Sequence, residues 1–181
     1  MKRQAKPTHL GYALLGLVHD KARSGYDLRK VFAETALGNY SSSPGAIYPA
    51  LARLEKQGLV EGREDHTKRL RPKKLYRPTA LGRRVFRAWL KAEISQDDVS
   101  RRLDELMLRF AFHATLDDDR ATHAFLVALA EKLGAYVAVL ETQAQKLQHK
   151  ASRHARLALE AGIEQYRAAA RWAQKALNQF E

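Results

Sequence analysis

The sequence has no cysteine. That excludes disulfides, thiolate nucleophiles and cysteine metal sites, and it permits a reducing compartment. The cytoplasm is the expected location. Proline is scarce, with 5 residues in 181, so few segments are forced out of regular structure. No uninterrupted apolar run reaches the length of a membrane span, and no membrane partner is expected. The opening "MKRQAKPTHLGYALLGLV" has the basic start of an export signal. Its apolar part is broken by Gly11, Gly16 and His19, and no small-residue cleavage site follows.

Acid is what the first half lacks. Residues 1–90 carry 19 Lys/Arg against 7 Asp/Glu, whereas residues 91–181 carry 13 of each. The whole net charge of +12 therefore sits in one half. A basic half joined to a neutral half suggests a polyanion-binding module joined to something else. A basic solubilising surface is the plainer alternative.

Catalytic constellations are missing too. There is no P-loop and no glycine-rich dinucleotide turn. His9, His19, His66, His113, His123, His149 and His154 include no pair at metal-ligand spacing beside a carboxylate. Asp117, Asp118 and Asp119 could hold a cation, but a helix start is reason enough for three acids. Neither an enzyme, a metal nor a cofactor is expected. Trp89, Trp172, Tyr136 and Tyr166 could line an aromatic pocket, although such spacings more often mean core.

What is present begins with three helices. Thr8 can cap a first helix through Asp20, with Leu10, Leu14, Leu17 and Val18 inward. Ser24 precedes a second, Gly25 to Leu37, stopped by Gly38 and Asn39. In "SSSPGAIYPALARLEKQGLV", Ser43 caps a third and Pro44 takes its first position, where a missing N–H costs nothing. Gly58 suits the left-handed residue after the helix end, and Leu59 can then pack on Leu54.

On a helical wheel Ile47, Leu51 and Leu54 form one narrow inward face. Gly45, Pro49, Ala52 and Lys56 point the other way, with Tyr48 and Arg53 on the flanks. A helix that enters the major groove must be slim on its outer face. An ordinary surface helix would read similarly. "LVEGRE" and "KLYRP" then read as two strands of a hairpin. Arg63, Lys68, Arg69, Arg71, Lys73, Lys74 and Arg77 face only Glu64 and Asp65 there. Cations beside a slim helix suit a wing that follows a phosphate backbone or minor groove. Thr79 caps a fourth helix carrying Leu81, Val85, Trp89 and Leu90.

The second half reads as entirely helical. "DDVSRRLDELMLRFAFHATL" predicts one amphipathic helix with Leu103, Leu106 and Phe110 inward. The next helix runs to about Lys150, with Leu126, Leu129, Leu133, Tyr136 and Leu140 as a heptad seam. Leu159, Ile163, Tyr166, Ala170, Ala173 and Leu177 repeat it. Two narrow seams favour a core shared with a second copy over one bundle closed on itself.

The residues resemble the PadR family of bacterial transcriptional regulators. "LGYALLGLV", "SGYDLRKVF", "SPGAIYPALARLEKQGLV" and "KKLYRPTALGRRVF" carry the likeness in the first half, "DELMLRFAFH" and "LEAGIEQYRAAARWAQKAL" in the second. The resemblance implies a mainly α chain. Residues 1–95 would be a winged helix-turn-helix DNA-binding domain, and residues 96–181 an α-helical dimerisation and effector domain. It implies a homodimer on double-stranded DNA carrying an inverted-repeat operator. It also implies repression, relieved in some members by a small aromatic effector. Tyr26, Ser43, Gly45, Tyr48, Arg53 and Lys56 are expected near DNA, with the wing cations on its backbone. The family's usual wing resembles Gly-Pro-Arg-Arg-Lys-Tyr-Tyr. This one reads "KRLRPKKLYRPT", lacks the glycine and is more basic. A nonspecific architectural nucleic-acid binder is the alternative.

Overall fold

Side-chain caps set the helix starts in the computed structural model, which describes residues 6–35, 37, 43–65, 73–148 and 150–180. Thr8 accepts the Gly11 N–H at 3.2 Å and opens α1 (His9–Asp20). Ser24 and Asp27 form a reciprocal capping box at the head of α2 (Gly25–Glu34). α2 ends three residues before the expected Leu37, and the expected stop at Gly38 and Asn39 lies outside the described residues. Ser43 caps α3 (Pro44–Lys56), which runs unbroken through Pro49.

The end of α3 is a Schellman motif. Gly58 has φ +68, a value that favours glycine. Its N–H donates to the Glu55 carbonyl, and the Leu59 N–H to that of Leu54, both at 2.9 Å. Three antiparallel strands then order as β1-β3-β2, with β1 at Arg23–Ser24, β2 at Val60–Asp65 and β3 at Lys73–Pro78. Sequence reasoning missed β1, because two residues carry no periodicity. Backbone pairing to Leu75 and Tyr76 creates it, and Arg23 Nε bonds back to the Leu17 carbonyl at 2.8 Å.

α4 (Ala80–Leu90) starts under the end of α3. The Thr79 hydroxyl accepts from Gly82 N–H at 3.0 Å and donates to the Gly58 carbonyl at 2.6 Å. A Cβ on Gly82 would run into the Leu59 backbone carbonyl, so the helix can sit there only with glycine. Gly82, Phe86, Trp89 and Leu90 are buried on α4, whereas Leu81 and Val85 are half-buried. Phe86 is thus an inward residue of the fourth helix beyond those expected from the sequence. Leu14, Leu15, Leu28, Phe32, Ile47, Leu51, Leu54 and Phe86 fill one core, and Trp89 stacks on Tyr12 at 4.4 Å. Each such buried side chain contributes about 1.5–3 kcal/mol over its exposed state.

The chain divides into two compact units, Met1–Leu90 and Lys91–Glu181. The division falls five residues before the expected one. Ile94 packs into the second core, and the Ala92 carbonyl accepts from the Arg109 guanidinium.

The second unit corrects one expectation. The helix expected across residues 97–116 is broken into α5 (Gln96–Arg101), α6 (Leu103–Phe112) and a 3-10 turn, His113–Leu116. Ser95 and Asp98 form their own capping box, so a short helix starts there. Arg102 leaves helical geometry at φ −139 and ψ 35, and its guanidinium turns back to Asp98 at 2.7 Å. The break lets Val99 and Leu106 enter the same core. Asp118 caps α7 (Asp119–Leu147), accepting from Ala121 N–H at 3.0 Å, and pairs with Lys91 at 2.8 Å. The acids at 117–119 thus serve a helix start.

α7 stops short of the expected Lys150 and pairs with α8 (Arg153–Leu177). By length and composition alone α7 could cross a membrane. That corrects the reading of no such segment, which counted only uninterrupted runs. The most apolar line of α7, Leu126, Leu129 and Leu133, is fully buried among α5, α6 and α8 side chains.

Candidate nucleic-acid interface

The inward face of α3 is as the wheel has it. Ile47, Leu51 and Leu54 are buried, and Ala50 joins them. Gly45, Tyr48, Pro49, Ala52, Arg53 and Lys56 are exposed. Tyr48 is the large apolar group on that face, 47% exposed. It leans on the start of α2, where a Cβ on Gly25 would strike its ring. Tyr26, 54% exposed, lies beside it with the Arg29 guanidinium 5.2 Å above its ring. Ser43 is exposed, and its hydroxyl accepts the Gly45 N–H at 3.2 Å.

Ser24, Gly25, Tyr26, Tyr48, Lys73, Lys74 and Tyr76 line an open notch of about 490 Å³. Two lysines and two exposed phenols therefore meet the N-terminal end of α2. Helix amides and cations together suit an anionic group. Asp27 stands at the same helix start and is held as a carboxylate. Its carboxyl sits below the usual range because the Ser24 hydroxyl and backbone bond it, with smaller help from Lys73 and Arg23.

Lys73 and Lys74 differ in a way the sequence does not show. Both are exposed, and Lys73, at the start of β3, stands opposite Asp65 of β2. Lys74 Nζ is 2.8 Å from Glu55 Oε2 and 5.4 Å from the Tyr76 ring centre. Its pKa is raised chiefly by the Glu55 hydrogen bond. Lys68, Arg69 and Arg71, expected at the wing tip, lie outside the described residues. Glu55 is the residue that sequence reasoning passed over. An acid in the last turn of a helix works against the helix dipole, which is the signal that a cation sits nearby.

The expected dimerisation residues pack within one chain. Leu126, Leu129, Leu133, Leu140, Ile163 and Leu177 are buried within a single chain. Tyr136, Leu159 and Tyr166 are half-buried. Tyr136 meets Tyr166 edge-on at 4.7 Å, and the Tyr166 hydroxyl donates to the Ser100 carbonyl at 3.1 Å. The seams pair α7 with α8 instead of waiting for a second copy. The exposed apolar groups of α8 are Leu157 and Trp172, on its outer face. The four aromatics offered as a pocket do not form one: Trp89 belongs to the first unit, and Trp172 meets Phe110 at 5.1 Å instead of Tyr136 or Tyr166.

The three helices, the three-stranded sheet and the helix after it form a winged helix-turn-helix. Residues 14–88 match the PadR-like family of transcriptional regulators, and residues 104–181 match a second family, virulence activator alpha C-term. Over residues 14–88 the chain is a member of the PadR-like family. The negative transcriptional regulator PadR of Bacillus subtilis is 30% identical over 64% of this chain. The match spans 63% of that relative's length, and 27% of the length of the Escherichia coli transcriptional regulator YqjI. Among solved structures, Bacillus subtilis PadR with operator DNA is 26% identical, covering 96% of this chain and 100% of that one, with a TM-score of 0.45.

Proposed function

We propose that this protein is a sequence-specific, double-stranded-DNA-binding transcriptional regulator. The observation that carries the reading is α3: its apolar face is spent on the core, and its slim exposed face presents Tyr48 and Arg53 beside a lysine-lined notch. α3 enters the major groove with Tyr48 and Arg53 toward base edges. Tyr26, Ser43, Gly45 and Lys56 lie along its margin. The α2 start, Lys73 and the wing cations other than Lys74 hold the phosphate backbone.

The protein acts in the cytoplasm as a homodimer on an inverted repeat, with recognition helices about 34 Å apart, and it represses. Since the seam leucines are already buried, the dimer surface is the outer face of α8. Leu157, Ala161, Ala168 and Trp172 are exposed there, spaced four, seven and four residues apart along one stripe. A small aromatic effector relieves repression in this reading, although the Phe110 ring is already in edge-on contact with Trp172 and Phe180.

One observation favours a second reading, a nonspecific architectural binder. Gly45, Pro49 and Ala52 give the outer face of α3 few hydrogen-bonding groups. Fluorescence anisotropy separates the two, with DNA from just upstream of the protein's gene, a scrambled duplex and a salt series. Tight binding to the upstream DNA by two chains supports the regulator. Equal, steeply salt-dependent binding to a scrambled duplex and to every duplex recovered from a random pool supports the architectural binder. In the first case Tyr48→Ala and Arg53→Ala weaken the specific site more than the scrambled one. Lys73→Ala weakens both and lowers the salt slope by about 0.9.

A further inference from the structure

One carboxylate ties the recognition helix to both strands of the wing. Glu55 sits in the last turn of α3. Its Oε1 accepts the Gly62 N–H of β2 at 3.2 Å, and its Oε2 accepts from Lys74 Nζ of β3 at 2.8 Å. Gly62 is part of the arrangement. A Cβ there would overlap the Lys74 side chain and press on Glu55 Oε1. The Glu55 and Lys74 side chains are 35% and 45% exposed, and pairs so exposed add little to stability. The contacts do link the last turn of α3 to both strands of the wing and occupy the Lys74 amine.

We infer that Glu55 is a specificity-determining residue, which withholds Lys74 from the phosphate backbone and fixes the wing at one angle to α3. The inference rests on the DNA-binding reading above. Nonspecific affinity comes almost wholly from cations that displace counterions. A lysine already neutralised by its own protein contributes little to it. A carboxylate close to the backbone also disfavours phosphates that arrive out of register, which is discrimination by repulsion. Lys73 and Lys74 are neighbours in sequence, yet only Lys73 adds to binding on any DNA.

The test uses the full chain, a scrambled duplex and a duplex recovered by the wild-type protein from a random pool. Affinities are measured across a salt series, with thermal melts as a control for folding. Glu55→Gln should bind the scrambled duplex about fivefold more tightly and steepen its salt slope by about one. Its preference for the recovered duplex should fall. Gly62→Ala should act in the same direction while keeping the carboxylate. Lys73→Gln should lower the scrambled-DNA slope, and Lys74→Gln should leave it unchanged. Lys74→Gln should also cancel the gain made by Glu55→Gln.

Equal slope losses at Lys73 and Lys74 would overturn the inference. So would a Glu55→Gln variant whose scrambled-DNA affinity is unchanged or falls in parallel with the other. If Glu55→Gln fails to fold, the two lysine variants and Gly62→Ala decide the matter alone. A wild-type chain that binds neither duplex overturns the DNA-binding reading itself, which is a different failure.

Discussion

The two units reach the same size by opposite routes. The first has four α-helices and three short strands among its described residues, and its 90 residues carry a surplus of twelve positive charges. Its parts meet at close approaches that admit no side chain, such as Gly82 on the Leu59 carbonyl. The second is electrically neutral, and its two longest helices bury seam leucines against each other. Its glycines, Gly134 and Gly162, have nothing near them. The first unit is specified by close approaches between particular residues and the second by periodic seams. Damage to each should therefore differ in kind.

The largest effect should come from the second core. Leu129→Ala empties a fully buried site and should cost about 2–5 kcal/mol. Hydrogen exchange should report faster opening across α7 and α8 while α1–α4 stay protected. The mirror experiment is Gly82→Ala. The overlap with backbone cannot relax by a rotamer change, so a loss of about 3 kcal/mol confined to Met1–Leu90 is expected. Gly134→Ala, in the interior of α7, should instead stabilise the second unit by about 0.5–1 kcal/mol. Differential melting of the three variants sharpens the contrast; equal, opposite-signed or delocalised effects break it.

Gly58→Ala should be smaller, at about 1 kcal/mol, because φ +68 is strained for a residue with a Cβ even where space is open. A further effect of similar size is shared by both units. Asp27 is held below its ordinary pKa first by the Ser24 side chain. For Asp98, burial is the largest influence and raises the value. The Ser95 hydrogen bonds and Arg102 outweigh it, so the net shift is downward. A carboxyl whose folded pKa is depressed stabilises the fold above its unfolded value, about 3.9, and loses that contribution as pH falls through the folded value. Acid titration of Ser24→Ala and Ser95→Ala should therefore show less loss of stability below pH about 4 than the wild-type chain. Each variant should be less stable near neutrality by about 1 kcal/mol.

Much of this was legible in advance because it is local. Thr8, Ser24, Ser43 and Thr79 sit where caps are needed, and Gly58 where a left-handed residue is needed. The inward face of α3 follows from a 3.6-residue repeat. The break at Arg102 was not legible, since residues on both sides of it share one apolar period. Nor was the two-residue strand β1, which exists only because β3 passes beside it.

The sequence by itself determined where the charge lies, which residues cap which helices and which face of α3 turns inward. These depend on bonding within a few residues. Only the tertiary structure decided that the seam leucines close on each other within one chain, since periodicity marks a buried stripe without naming what covers it. It alone separated Lys73 from Lys74, because the partner of Lys74 is Glu55, nineteen residues away in sequence. It alone showed why residue 82 must be glycine, because the atom that would be struck belongs to Leu59.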